Sequence, residues 1–360
     1  MKEMLKDLLE AYSPSSQESL AIDVWDKYCS KIPKTTHTYS DKMGNSAWSW
    51  GNGKTKILLS AHLDEIALIV SSISEEGFIT MNQFAGVDKN VLIGSQIVLM
   101  SKNGPVKAIA HSLPIHLQHA TKSDNKVTEI YEVKFDVGAS SKKEVEELGI
   151  YIGCLGVLDR NINLEFGKSG KFYGNALDDK IGVYTIFKVL NDLANDENSY
   201  KLEDKFTLTI LATTQEESGL RGAIRASRNI NPDISIDLDV THANDCKLFS
   251  GERFGNIKLG QGVVIEFGQD KSRRLANLFI DLAEKHDVKY QTGVARCGGT
   301  NTNAIELNTS DCETMLLSIP LLSMHTQNET MHWDDVNGTV ELIKYYLKTF
   351  DAAEKEGQWI

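Results

Sequence analysis

Five short β-branched or apolar runs in this chain stop at acids or histidines, and that recurrence constrains its fold more than any other feature. Phe206 to Ala212 gives way to Thr213-Thr214-Gln215-Glu216-Glu217-Ser218-Gly219, while His62 and Asp64, Asp178 and Asp179, Asp239, and His325 each follow a similar stretch. In a sheet covered by helices, groups that bind ligands collect where strands end. Gathered at one sheet edge, these clusters make a candidate two-metal hydrolase site.

The order of elements agrees with such a sheet. After Gly170 the pattern alternates: a helix from Lys180 to Ala194, a strand from Phe206 to Thr213, a helix from Gly219 to Asn229 and a strand from Ile234 to Val240. Beyond these come a strand from Gly262 to Phe267, a helix from Lys271 to His286, a strand from Thr314 to Ile319 and a helix from Asp335 to Lys355. Near the start, Leu5, Leu8 and Leu9 share a helix face, and Ser15-Ser16-Gln17-Glu18 resembles a cap before a second helix. Ser46 to Trp50, the Gly51-Asn52-Gly53 turn and Lys56 to Ser60 read as a hairpin. From Leu68 to about Gly170 the texture is short strands and glycine turns, including Gln96 to Ser101, Val106 to His111 and Ile130 to Val137. The expected class is α/β: a candidate di-metal hydrolase domain over 1–67 and 170–360, with a central mixed sheet covered by helices, interrupted at 68–169 by a small all-β, barrel-like insert. Two domains suit 360 residues, because single cores stop growing at roughly 250–300.

Composition excludes several classes. A net charge of −12 argues against nucleic acid and anionic membranes, which are held by clustered Lys and Arg. The first ten residues mix charge with leucine and lack the apolar core of a signal peptide, and no apolar stretch nears the ~20 residues that span a bilayer. Cys29, Cys154, Cys246, Cys297 and Cys312 are odd in number and scattered, as expected for reduced thiols in a cytoplasm.

The residue types explain the chemistry. His62 and Asp64, two apart in an extended segment, point the same way, so the carboxylate can orient a ligating histidine. Asp178 and Asp179 could simply cap a helix, yet a carboxylate bridging two ions is what a two-metal site needs, and Asp178 is the candidate. Glu216 and Glu217 face different ways, so one can ligate while the other accepts a proton from the attacking water. Asp237 and Asp239 lie inside an apolar strand, where an uncompensated carboxylate is costly. Taken alone, His325 reads as an ordinary loop histidine.

Together, Ala61-His62-Leu63-Asp64-Glu65, Ala176-Leu177-Asp178-Asp179-Lys180, Thr214-Gln215-Glu216-Glu217-Ser218-Gly219, Leu238-Asp239-Val240 and the stretch from Ile319-Pro320 through His325 to Glu329 resemble the M42 family of tetrahedral metallo-aminopeptidases, in order over nearly the whole chain. That resemblance implies His62, Asp178, Glu217, Asp239 and His325 as ligands of two divalent ions, zinc or cobalt, with Asp178 bridging. It implies Glu216 as general base, Asp64 as support for His62, short peptides as substrates, and a homo-oligomer, typically a dodecameric tetrahedral particle. One departure stands near the site: Gly298-Gly299-Thr300-Asn301 replaces the family's usual Gly-Gly-Thr-Asp. Two other readings compete. A glycoside hydrolase would use two carboxylates and no catalytic metal, and a non-enzymatic assembly protein on the same fold would have lost ligand residues.

Overall fold

A computed structural model describes residues 2–120, 129–294 and 299–350. Cys297, Gly298 and residues 351–355 of the expected last helix lie outside the described residues. The chain forms two compact units: 1–64, 162–324 and 328–360 in one, 65–161 with 325–327 in the other.

The first unit is built on an eight-stranded mixed sheet. Its strands run, in spatial order, Thr36–Ser40, Ser46–Trp50, Phe206–Thr213, Thr55–His62, Ile234–His242, Glu313–Leu321, Val263–Phe267 and Tyr290–Val294. The four from Phe206–Thr213 to Glu313–Leu321 are parallel, so their C-terminal ends share one edge. Side chains alternate as a sheet between two helical layers demands. Ile57, Leu59 and Ala61 join the larger core with Ile181 and Leu190 of the helix Leu177–Ala194. Leu58 faces the opposite core with Leu211, Ala223 and Ile305. Ser60 and His62 continue the Leu58 face, and Ser235, Asp237 and Asp239 continue the same face on the adjacent strand, where Ser60 Oγ donates to Asp237 Oδ1.

The second unit is a closed barrel of Leu68–Ile73, Ile79–Gln83, Phe135–Asp136, Gly104–Ala110, Gln96–Ser101 and Leu155–Leu158, filled by Val70, Met81, Leu99 and Phe135 among others. The α/β class with a barrel-like insert is therefore what the chain adopts.

Three local expectations are corrected. Ser46–Trp50 and Thr55–His62 are strands but not a hairpin, because Phe206–Thr213 lies between them and pairs with both. The glycine loop passes tightly over the start of that intervening strand: a Cβ on Gly53 would fall 2.1 Å from the Phe206 nitrogen. Ile130 to Val137 is a single turn, Ile130–Glu132, followed by the two-residue strand Phe135–Asp136. Glu18 does precede the helix Ser19–Cys29, but its side chain makes no capping bond there.

Candidate metal centre

Each acid and histidine of the first unit reaches the site through backbone that the sheet fixes. His62 closes its strand, paired with Thr213, which leads into Glu216 and Glu217. Asp239 lies near the end of the next strand, and Asp178 and Asp179 start the helix behind them, joined by a cis peptide bond. Two sets of donor atoms lie within 4.8 Å of one another: His62, Asp178 and Glu217, and His62, Asp179 and Asp239. Four residues expected as ligands thus come together, with His62 common to both sets, and Asp179 joins them as a donor that sequence reasoning passed over.

The imidazole is held from both sides. Nδ1 lies 3.1 Å from the Asp64 carbonyl oxygen, and Nε2 lies 3.2 Å from Asp178 Oδ1 and 3.9 Å from Glu216 Oε2. With Nδ1–H donating to the carbonyl, Nε2 is the nitrogen left for a ligand. The Asp64 carboxylate approaches the ring at 3.5 Å, but its hydrogen bonds go elsewhere: Oδ1 accepts the Glu216 N–H at 2.9 Å and Oδ2 the Glu217 N–H at 3.1 Å. Asp64 therefore supports the acid pair as well as the histidine. Asp179 Oδ2 accepts the His62 N–H at 3.3 Å, and Glu329 accepts the Asp178 N–H at 3.2 Å. Glu329 appeared in the sequence only as the end of a motif.

Burial sets the electrostatics. It pushes Asp179 and Glu216 well above the usual carboxylate range, with Asp239 adding to both, and it raises Asp239 to about 7 with help from Asp178. Burial opposes a charge on His62, but Asp178 and Asp64 outweigh it and raise the ring well above its ordinary value. So many buried carboxyls beside one imidazole form a negative cluster that a cation would neutralise. One nitrogen and several carboxylate oxygens can hold a divalent ion, so the donors fit metal.

One residue expected as a ligand is outside these sets, and the departure at Asn301 lies within the first unit. His325, in the left-handed region at φ 62°, belongs to the second compact unit, where its Nδ1 lies 2.9 Å from the Gly86 carbonyl oxygen. Asn301 is buried in the first unit and donates from Nδ2 to Thr213 Oγ1 at 3.0 Å. The Thr213 hydroxyl donates onward to the Ala61 carbonyl, leaving an acceptor position that an amide can fill and a carboxylate cannot.

The M42 glutamyl aminopeptidase family model matches residues 44–342. A lysyl aminopeptidase of Pyrococcus furiosus is 30% identical, covering 96% of this chain and 96% of its own. The chain belongs to the M42 family. It is accordingly a peptidase hydrolase, of a family whose members depend on metal. Among solved structures, a TET aminopeptidase from a marine sediment thaumarchaeon superposes with a TM-score of 0.90 at 27% identity over 98% of this chain and 97% of that one. The TET1 peptidase of Pyrococcus horikoshii, described as assembling into a tetrahedron or a large octahedral shell, gives 0.83 at 27% identity over 96% and 98%. Among the described residues, no helix is long and apolar enough to cross a membrane.

Proposed function

We propose that this peptidase removes N-terminal residues from short peptides. His62, Asp178, Glu217 and Asp239 would hold two divalent ions and, from the family resemblance alone, Asp178 would be shared between them and His325 would be the fifth ligand. Zinc and cobalt both suit these donors. Bound divalent ions would supply charge to polarise the scissile carbonyl and to acidify the attacking water.

The observation that carries this reading is the placement of the acid pair. Asp64 grips the N–H groups of both Glu216 and Glu217, so the two side chains leave a fixed backbone in different directions. Glu217 falls among the donors, and Glu216 Oε2 stands beside them, near the His62 ring. Glu216 then acts as general base: it takes a proton from the attacking water and passes it to the departing amine. Its burial, with Asp239 and Glu217 close by, gives it the raised basicity such a role needs. Asp64 and Asp179 position and do not react. Assembly into a closed homo-oligomer, with the barrel unit serving dimerisation, completes the proposal and accords with a substrate range limited to short peptides. Operation in the cytoplasm accords with the free thiols at Cys29, Cys154, Cys246 and Cys312.

The test is a panel of unblocked and N-acetylated aminoacyl amides offered to protein reconstituted with zinc or cobalt, alongside Glu216→Gln. Cleavage confined to unblocked substrates, suppressed by chelation and lost in the variant, is expected. Polysaccharide cleavage that survived chelation, with no peptide turnover, would overturn the reading in favour of a glycosidase.

A further inference from the structure

Residues 11–18, which carry no ligand or base, touch the segments that carry His62 and Asp64, Asp178 and Asp179, and Glu216 and Glu217. The Ala11 carbonyl accepts from Lys180 Nζ at 2.7 Å, next to Asp179. Ser13 Oγ donates at 2.8 Å to the carbonyl of Leu63, between His62 and Asp64. Ser15 Oγ meets Ser218 Oγ at 2.8 Å, one residue beyond Glu217. Finally, Glu18 Oε1 accepts the N–H of Gln215 at 3.1 Å, one residue before Glu216.

The last contact is the most specific. Gln215 is left-handed at φ 55°, and so is Ser16 at φ 79°. Neither is glycine, so each conformation is disfavoured unless something fixes it. One buried oxygen does both: Glu18 Oε1 takes the Ser16 N–H at 2.7 Å as well as that of Gln215. With Asp64 on the next two amides, three successive N–H groups, at 215, 216 and 217, are held by two buried carboxyls. This leaves the acid pair little freedom to rotate as a unit.

We propose that Glu18 is a positioning residue for the reaction, fixing the turn that aims Glu216 at the proton it must accept. The inference rests on the peptidase reading above. What matters is where the acceptor atom lies, since a neutral side-chain carbonyl at that point accepts the same two N–H groups. Burial, with Asp64 adding to it, raises Glu18 to about 8, in keeping with a side chain that works as an acceptor without needing its charge.

Three variants separate acceptor position from charge. Glu18→Gln keeps length and acceptor, Glu18→Asp keeps charge but withdraws the acceptor by about 1.5 Å, and Glu18→Ala removes it. Steady-state kinetics on the preferred aminoacyl amide are expected to show kcat lowered about 10- to 100-fold in Glu18→Ala with KM little changed. Glu18→Gln should recover most of the loss and Glu18→Asp little of it. Hydrogen exchange of metal-free protein should follow the same order, with the amides of residues 215–217 losing protection in the Ala and Asp variants and keeping it in Gln. An Ala variant matching wild type in kcat and protection, or an Asp variant outperforming Gln, overturns the proposal. Should the Ala variant not fold, the Gln and Asp variants decide. If wild type cleaves no amide, the peptidase reading fails by itself, and the exchange order still tests the hold of Glu18 on the turn.

Discussion

Gly182 offers a test in which the expected sign departs from ordinary helix behaviour. It lies in the helix Leu177–Ala194, where replacing glycine by alanine normally stabilises by about 0.5–1 kcal/mol through backbone entropy. Here, a Cβ would fall 2.4 Å from Asp179 Oδ1 and 2.5 Å from Oδ2. Asp179 is fully buried and accepts the N–H groups of Gly182, at 3.1 Å, and His62, at 3.3 Å, so moving it away from a Cβ at 182 would strain these bonds. Overpacking costs roughly 1–3 kcal/mol and a disrupted buried hydrogen bond a similar amount. After subtracting the entropic gain, Gly182→Ala should destabilise by about 1–5 kcal/mol. Gly338 is the control: it lies in the helix Trp333–Thr349, and its Cβ would meet nothing nearer than Val288 Cγ1 at 3.7 Å, so Gly338→Ala should gain the usual ~0.5–1 kcal/mol. Urea denaturation of metal-free protein measures both. A Gly182→Ala midpoint at or above wild type would refute the claim that Asp179 is wedged between helix and strand.

Three further outcomes are expected. Asn301→Asp, which restores the family's usual residue, removes the N–H that Thr213 Oγ1 accepts and adds a buried charge, so stability should fall by about 1–3 kcal/mol; a denaturation midpoint equal to wild type would count against the amide's role. In the barrel unit, Arg160 meets Glu65 through both guanidinium nitrogens at 2.6 Å in a nearly buried pair. Arg160→Met should therefore cost about 3–5 kcal/mol, with much of that recovered in the Arg160→Met/Glu65→Leu double variant, as a double-mutant cycle by denaturation would show. Metal-free protein should lose stability as pH rises from 5 to 8. Asp237 and Asp239 are both raised to about 7, chiefly by burial, so between their unfolded value near 4 and that folded value the native state holds protons the unfolded chain has released. His62, raised well above its ordinary value, acts with the same sign over the upper part of the range. Saturating divalent ion should partly flatten the profile by replacing the protons on Asp239 and His62 but not that on Asp237, and a metal-free midpoint that climbed between pH 5 and pH 8 would contradict the assignment.

How much of this was legible in the chain depended on how far each residue's partner lies along the sequence. The helices and strands expected after Gly170 follow from local apolar pattern, with ends within a few residues of those found apart from the last helix, described only to Thr349, whereas Lys171–Gly174, Tyr290–Val294, Asn301–Asn308 and Glu329–His332 were not anticipated. His62 closes its strand, Asp178 lies at a helix start, Glu217 follows shortly after a strand and Asp239 lies inside one, so local pattern marked them as candidates, while the role of each as a ligand came only from the family resemblance. The hairpin was misjudged for the opposite reason: a Gly-Asn-Gly loop looks the same whether its strands pair with each other or admit Phe206–Thr213 between them. Glu18 shows the limit most sharply. Its setting, Ser15-Ser16-Gln17-Glu18 before a helix, is an ordinary cap signature, and only the fold reveals that its carboxyl is committed to Gln215, 197 residues away.

Those distant partners also pin the backbone of the centre. Asp64, Asp179, Glu18 and Glu329 spend their oxygens on backbone N–H groups of the residues that would ligate or react, or of their immediate neighbours. Acids used in this way do two things at once. They fix backbone to within a hydrogen bond's tolerance, and those beside or among the donors, Asp64 and Asp179, add carboxyl groups where a divalent cation would offset their charge. The metal-free fold therefore carries an electrostatic cost that metal relieves, which ties metal affinity to the same contacts that aim Glu216. A substitution that loosens any of these carboxyl grips should weaken metal binding and kcat together, even when the residue changed touches neither the ion nor the substrate.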